Sequence, residues 1–425
     1  METSQMLPQI EQIHREARHR GTSFRVAENE QINGPMLRLD GKDRVSFASC
    51  SYLGLEFHPR VIEGTVDAVR RYGAQFATSR AYVSPPIYRE AEELMRQIFG
   101  APTLLVPSTT LAHQIALPVL ATEQDAILLD NQAHRSIHIG AALARGGGAT
   151  VETIPHRELD DRLLETLERL SRAHRTVFFA IDGIYSMYGD VAPVGLLKQA
   201  LDVAPNIRLY VDDAHGLSWA GTHGRGHFLS RMPLSPRIVL TTSLAKGFGA
   251  SGGCLVVTDE AERERVQMTG GPYFFSTPTP PPMLGATLAS AQIHLTDEIG
   301  GLQQALAERV QLFNALLHEF DLPVLSTNES PIFFLKVGNQ EAMFEIARKV
   351  EEDGFYINVS HFPVVPVKRA GLRIAITALQ GKEEIRGVAQ SLARHVPEAF
   401  RAHGIERDAL DALYAGAIPR ESWGH

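Results

Sequence analysis

Two stretches decide the fold, Tyr210-Val-Asp-Asp-Ala-His-Gly216 and Thr241-Thr-Ser-Leu-Ala-Lys-Gly-Phe-Gly249. Each closes a short apolar run with groups that an apolar run cannot use. The first carries two carboxylates and a histidine past the run Arg208–Val211. The second carries hydroxyls and Lys246 past Arg237–Leu240, then turns through Gly247, Gly249, Gly252 and Gly253. Continuous apolar runs of this length read as strands buried on both faces. The carboxyl ends of such strands are where open α/β sheets place their ligands. A lysine just beyond a buried strand is costly unless it is paired or used chemically.

Working outward, the same kind of run recurs at Thr103–Val106, Ala126–Leu129, Thr150–Ile154, Thr176–Ile181 and Cys254–Val257. Helical or polar segments separate them. Among these, Val61–Arg71 and Ile87–Phe99 have helical period, and the second is closed by Gly100 and Pro102. The pattern predicts an α/β fold with a seven-stranded, mainly parallel sheet. Ahead of it, residues 1–22 read as an amphipathic helix, with Leu7, Ile10 and Ile13 set among Glu11, Arg15 and Glu16. Leu37–Ala48 reads as a hairpin around Gly41-Lys42-Asp43. The prolines of Pro278–Pro282 mark a break, and Leu284–Phe320 follows with one long helical periodicity. A strand (Ile332–Val337), a helix (Glu341–Glu352), strands near Phe355–Val359 and Leu372–Ile376, and a helix (Glu383–Arg394) predict a smaller C-terminal α+β domain. The expected organisation is an arm over 1–48, a large domain over 49–290 and a small domain over 291–425.

Composition narrows the partners. The chain has 425 residues, 44% hydrophobic and 21% charged, as in ordinary globular proteins. Lys plus Arg is 41 and Asp plus Glu is 49, a formal charge of −8, which argues against nucleic acid or an anionic membrane surface. Two cysteines, Cys50 and Cys254, make no disulfide framework and suit a reducing compartment. The N-terminus is charged and lacks a signal-peptide core, and no run approaches the ~18–20 apolar residues of a membrane span. A cytoplasmic enzyme without a membrane span is expected, and no metal centre.

The residue types at the strand ends suit pyridoxal phosphate. Lys246 supplies an amine for a Schiff base. Asp212 supplies a carboxylate that keeps the pyridine nitrogen protonated, so that the ring accepts electrons. Hydroxyls beside Lys246, Ser243 among them, suit a phosphate. Ser108-Thr109-Thr110 lies between a strand and a helical segment, and a helix N-terminus also favours phosphate. One of these hydroxyls acting as a plain N-cap is compatible with that role. His134, in Asp130-Asn-Gln-Ala-His-Arg-Ser136, offers a flat ring and a mobile proton.

Taken together, the chain resembles the α-oxoamine synthase family of fold-type I pyridoxal phosphate enzymes. The resemblance lies in Ser51-Tyr-Leu-Gly-Leu55, Asp182-Gly-Ile-Tyr-Ser-Met187, Val211-Asp-Asp-Ala-His-Gly216, Gly224-Arg-Gly226, Lys246-Gly-Phe-Gly249 and Gly371-Leu-Arg-Ile-Ala375. It implies Lys246 as Schiff-base lysine and acid/base for the α-proton, Asp212 on the pyridine nitrogen, and His215 on the ring's phenolic oxygen with Ser186 nearby. It implies Ala214 beneath the ring and His134 stacked above it. Ser108, Thr109, Thr110 and Ser243 would hold the phosphate. Thr277 would reach it from a neighbouring subunit, so that a homodimer carries its active sites at the interface. Arg373 would clamp the substrate carboxylate bidentately, with Ser51 and Ser84 on the substrate side. The implied reaction condenses an amino acid with an acyl thioester, on CoA or a carrier protein. Decarboxylation would then give an α-amino ketone for a biosynthetic pathway.

The departures fall on the substrate side. Cys50-Ser51 stands where the family usually has Asn-Asp or Asn-Asn. Gly73–Pro86 is poorer in glycine and carries two prolines. Tyr88 replaces a histidine, Asp182 a glutamate and Tyr188 an aspartate, and Thr377-Ala-Leu-Gln380 lacks a usual histidine. Unusual substrates are therefore expected. An aminotransferase, or another carbon–carbon bond-forming or cleaving enzyme on the same fold, is the alternative. A cofactor-binding regulator is the non-enzymatic reading, without a basic patch to support it.

Overall fold

The computed structural model describes residues 3–76, 79–327 and 329–418. Ala77 and Thr78, inside the Gly73–Pro86 stretch, lie outside the described residues, as does the end of the chain beyond 418. The helix predicted for the N-terminus spans Thr3–His19. Strands β1 (Met36–Leu39) and β2 (Lys42–Ser46) form the expected hairpin. Its turn is Asp40-Gly41, both at positive φ, so Lys42 and Asp43 already belong to the second strand. A two-residue turn of this kind matches the natural twist of paired strands.

The seven apolar runs become β3 (Thr103–Val106), β4 (Ala126–Asp130), β5 (Thr150–Ile154), β6 (Val177–Asp182), β7 (Ile207–Asp212), β8 (Ile238–Ser243) and β9 (Gly253–Val256). Their spatial order is β3-β9-β8-β7-β6-β4-β5. Only β9 runs against its two neighbours. Alternate side chains serve opposite faces. Phe178, Tyr210 and Val239 meet the helices Thr109–Leu120 and Arg135–Gly146, whereas Phe179, Leu209 and Leu240 meet Pro86–Phe99, Asp161–Ala173 and Val194–Val203. Burial on both faces is what the continuous apolar runs require.

The single long helix expected over Leu284–Phe320 is two helices, Pro281–His294 and Glu298–Glu319. Thr296 turns its hydroxyl and its N–H back onto the carbonyl of Ile293, ending the first helix at a point where the apolar period continues. The first of the pair crosses Pro59–Tyr72 at very short range. A Cβ on Gly285 would stand 2.2 Å from the carbonyl oxygen of Gly64, so only glycine permits the crossing.

The C-terminal strands are β10 (Ile332–Lys336), β11 (Phe355–Tyr356), β12 (Asn358–Ser360) and β13 (Gly371–Ala375). The stretch read as one strand near Phe355–Val359 divides between two sheets. Phe355 pairs in parallel with Val45 of β2, and Asn358 pairs with Arg373 of β13. The sheet β10-β13-β12 is antiparallel and packs on Gln340–Glu352 and Lys382–Ala402. No described helix is long and apolar enough to cross a membrane.

Candidate active site

Three neighbouring strands end in carboxylates or hydroxyls at one level. Asp182 at the end of β6 lies in register with Asp212 of β7, and Asp212 with Thr241 of β8. The chain beyond β8 brings Lys246 back over these ends. A recess of about 30 Å³ opens there, lined by Thr109, Thr110, Lys246, Asp212 and His215. His134 and Ala214 also face it.

Lys246 Nζ lies 2.8 Å from His215 Nε2, and His215 Nδ1 lies 2.6 Å from the Tyr52 hydroxyl. Burial pushes the lysine amine below its ordinary range, although Asp212 opposes this. Burial, then the charges of Lys246 and Arg373, push His215 well below its own, so the ring is neutral. With Nζ donating to Nε2, the ring proton sits on Nδ1 toward Tyr52. The lysine is thus held in place by an uncharged partner, which leaves its amine available as a nucleophile.

Asp212 is built as an anion. Its Oδ1 accepts the Ala214 N–H at 3.0 Å, and its Oδ2 lies 2.9 Å from His113 Nε2. The other nitrogen of His113 lies 2.9 Å from the Tyr210 hydroxyl. Burial alone would raise this carboxyl. His113, by charge and hydrogen bond, and then Lys246 and His134 outweigh it and hold the group below the usual carboxylate range. Asp182 is its opposite. Burial and the nearby Asp212 charge raise it well above that range, and its Oδ1 accepts the His134 N–H at 2.9 Å. Two strand-end carboxyls side by side are thus pushed apart, Asp212 toward its charged form and Asp182 toward its protonated one.

Ser108 is the N-cap of Thr109–Leu120, accepting the Leu111 N–H at 3.1 Å. The helix begins there with N–H groups that lack partners inside the helix. Gly253 allows this approach, since a Cβ on it would lie 2.6 Å from the Thr109 nitrogen. The donor set answers to pyridoxal phosphate: a low-pKa amine for the aldehyde, an anion for the ring nitrogen, and a helix N-terminus for the phosphate.

Other expected residues stand further out. The Ser243 hydroxyl accepts the Ala245 N–H at 3.3 Å, at the strand end. Ser186 lines a second, larger cleft of about 850 Å³ that His134 also borders, and its carbonyl accepts Arg373 Nε at 2.7 Å. Ser51 bonds to Ser49. Ser84 accepts Arg80 Nε at 3.3 Å and lines a small pocket with Pro278 and Thr279, and Thr277 is exposed. Neither Ser84 nor Thr277 lines the Lys246 recess of its own chain. Among the described residues, no group of three His, Cys, Asp or Glu side chains is placed to hold a metal ion.

Sequence reasoning missed His113, the partner of Asp212. Its only signal was a histidine, beside Gln114, within the mainly apolar stretch Leu111–Leu120. Tyr52 stood in a quoted motif without a role. A third omission is the buried pair of carboxylates bridged by His156. Its Nδ1 lies 2.6 Å from Asp130 and its Nε2 3.0 Å from Asp190, and the Tyr185 hydroxyl also donates to Asp130. This cluster ties the loop bearing His134 to the loop bearing Ser186.

The sequence profile of the aminotransferase class I and II family matches residues 42–392. An 8-amino-7-oxononanoate synthase of Maricaulis maris is 30% identical over 87% of this chain and 91% of its own length. Another from Dechloromonas aromatica is 31% identical over 83% and 90%. Among solved structures, a serine palmitoyltransferase of Sphingomonas wittichii superposes with a TM-score of 0.84 at 22% identity, covering 95% of this chain and 98% of that one. The 8-amino-7-oxononanoate synthase of Francisella tularensis superposes with a TM-score of 0.69 at 20% identity, covering 84% and 99%. The structural likenesses carry the fold, and the sequence matches carry the kinship. The chain belongs to the aminotransferase class I and II family, in its α-oxoamine synthase branch, and is a pyridoxal phosphate-dependent enzyme.

Proposed function

We propose that this enzyme condenses an amino acid with an acyl thioester, with loss of carbon dioxide, to give an α-amino ketone in a biosynthetic pathway. The observation that carries the reading is the recess itself, where Lys246, neutral His215 and anionic Asp212 surround one space. Pyridoxal phosphate, when bound, supplies an electron sink for the α-carbon. The chain's residues do the rest. Thr109 and Thr110 hold the phosphate at the helix N-terminus, with Ser108 and Ser243 beside them. Asp212 keeps a proton on the ring nitrogen. His215 and Ser186 attend the phenolic oxygen, and Ala214 and His134 flank the ring. Lys246 Nζ takes the proton from the substrate's α-carbon and can return it. Arg373 binds the substrate carboxylate, with Ser51 and Ser84 on the substrate side. His134 donates to the thioester carbonyl as negative charge develops there.

The working form is a homodimer. Phe275 (91% exposed) and Tyr82 (85% exposed) stand bare on the two segments that carry Thr277 and Ser84, and large exposed apolar side chains of this kind favour a covered face. A second copy seated there would bring Thr277 toward a neighbouring recess. The division into an arm (1–48), a large domain (49–290) and a small domain (291–425) is part of the same reading. So is a cytoplasmic location, supported by the two free cysteines.

The test is incubation of the holoenzyme with each of the twenty amino acids and a panel of acyl-CoAs, reading free thiol and carbon dioxide. Thiol release that depends on both substrates is expected. A keto acid and pyridoxamine phosphate without thiol would instead establish transamination.

A further inference from the structure

Arg373, on β13, is 4% exposed and lies near enough to the site for its charge to act on His215 and Lys246. Its guanidinium is engaged on two edges. Nε donates to the Ser186 carbonyl at 2.7 Å, and Nη2 donates to Cys50 Sγ at 3.5 Å. A buried guanidinium is always charged and needs an anion or a full set of acceptors. Here the groups that act on it are Cys50 and Tyr52. Burial works to raise the Cys50 thiol, and Arg373 and then Lys246 outweigh it and hold the thiol below its ordinary range. The other cysteine, Cys254, is fully buried and pushed the other way by burial. Cys50 is thus the resident acceptor on the cation that the substrate carboxylate is to use.

We propose that Cys50 sets how tightly the enzyme binds amino acids by competing with the substrate carboxylate for Nη2 of Arg373. The inference deepens the reading of Arg373 given above and rests on it. Binding is then an exchange of sulfur for oxygen on one cation, with no covalent bond made or broken. The carboxylate therefore gains only the difference between its own bond to Nη2 and the one the sulfur gives up. A site of this kind binds amino acids more weakly as a class, each by the same factor.

The test is a spectral titration of the holoenzyme with each of the twenty amino acids, reading Kd from the absorbance of the bound cofactor. It compares wild type with Cys50→Ala, Cys50→Ser and Cys50→Asp. Cofactor content is read first, from the same spectra, so that a misfolded variant is recognised. Cys50→Ala removes the competitor and is expected to lower Kd about fivefold or more for every amino acid, and Cys50→Ser, whose hydroxyl still accepts, is expected to fall between it and the wild type. Cys50→Asp installs a permanent anion and is expected to raise Kd about tenfold or more. The KM for the acyl thioester stays unchanged in all three. Equal affinities in wild type and Cys50→Ala, weaker binding in Cys50→Ala and Cys50→Ser, or no wild-type response to any amino acid would each overturn the proposal. Because Kd is read without turnover, an enzyme that binds amino acids but releases no thiol would defeat the acyl-transfer reading alone.

Discussion

Replacing His113 with phenylalanine isolates the group that keeps Asp212 charged. The ring volume is kept and both nitrogens are lost. His113 and Asp212 are 0% and 4% exposed and meet at 2.9 Å, so water does not replace the lost partner. Leaving a buried charge without the partner that hydrogen-bonds it costs about 3–5 kcal/mol. The lower figure already corresponds to roughly two orders of magnitude in an equilibrium constant. Asp212 would retain the Ala214 N–H and the charges of Lys246 and His134, while burial, the largest influence on it, would act unopposed by imidazole. The carboxyl therefore moves upward. In the wild type its folded value is depressed, so its contribution to stability is present above the unfolded value and is lost as pH falls through the folded one. In His113→Phe that contribution shrinks, because the folded value moves up toward the unfolded one. The assays are cofactor affinity by absorbance titration, kcat/KM against pH, and urea denaturation. The expected results are weaker cofactor binding, an acid limb of kcat/KM displaced to higher pH, and about 3 kcal/mol less stability at pH 7. An unmoved acid limb together with a stability loss below about 1 kcal/mol would refute the assignment of His113 as the partner that charges Asp212.

His156, bridging Asp130 and Asp190, is pushed up to about 10 by those carboxylates against the opposing effect of burial. Its stabilisation is therefore complete below its unfolded value of about 6.5 and declines as pH rises through about 10, so His156→Gln should destabilise the protein strongly at pH 6 and far less at pH 10.5 in denaturant titrations. Lys246→Ala should carry no cofactor on the chain after borohydride reduction, as read by mass spectrometry. Cofactor trapped on another residue would move the anchor elsewhere. Gly253→Ala should separate the end of β9 from the helix N-terminus at Thr109, raising the Kd for pyridoxal phosphate more than that for pyridoxal. Equal effects on the two would remove Thr109 from the phosphate site.

Local pattern carried much of the molecule. Seven runs became seven strands because a run of four to six apolar or β-branched residues encodes a strand without help from its neighbours, buried in six of them and largely open only in β5 at the sheet edge. The groups at the ends of β7 and β8 were legible for the same reason, since polar residues that abruptly close an apolar run stand out in one dimension. Local pattern failed where two signals overlapped. At Thr296 a hydroxyl broke a helix within an unbroken apolar period, and at Ile357 one apolar stretch crossed between two sheets.

The chain alone thus determined the strands, their helices and the chemical groups set at their ends. Which group answers which was decided only by the tertiary structure. His113 meets Asp212 across 99 positions, Tyr52 meets His215 across 163, and Cys50 meets Arg373 across 323. These pairings depend on the non-sequential order β3-β9-β8-β7-β6 and on β13 lying beside the loop after β6. A hydrogen bond is satisfied by position in space, and strand order, which no local period encodes, supplies that position.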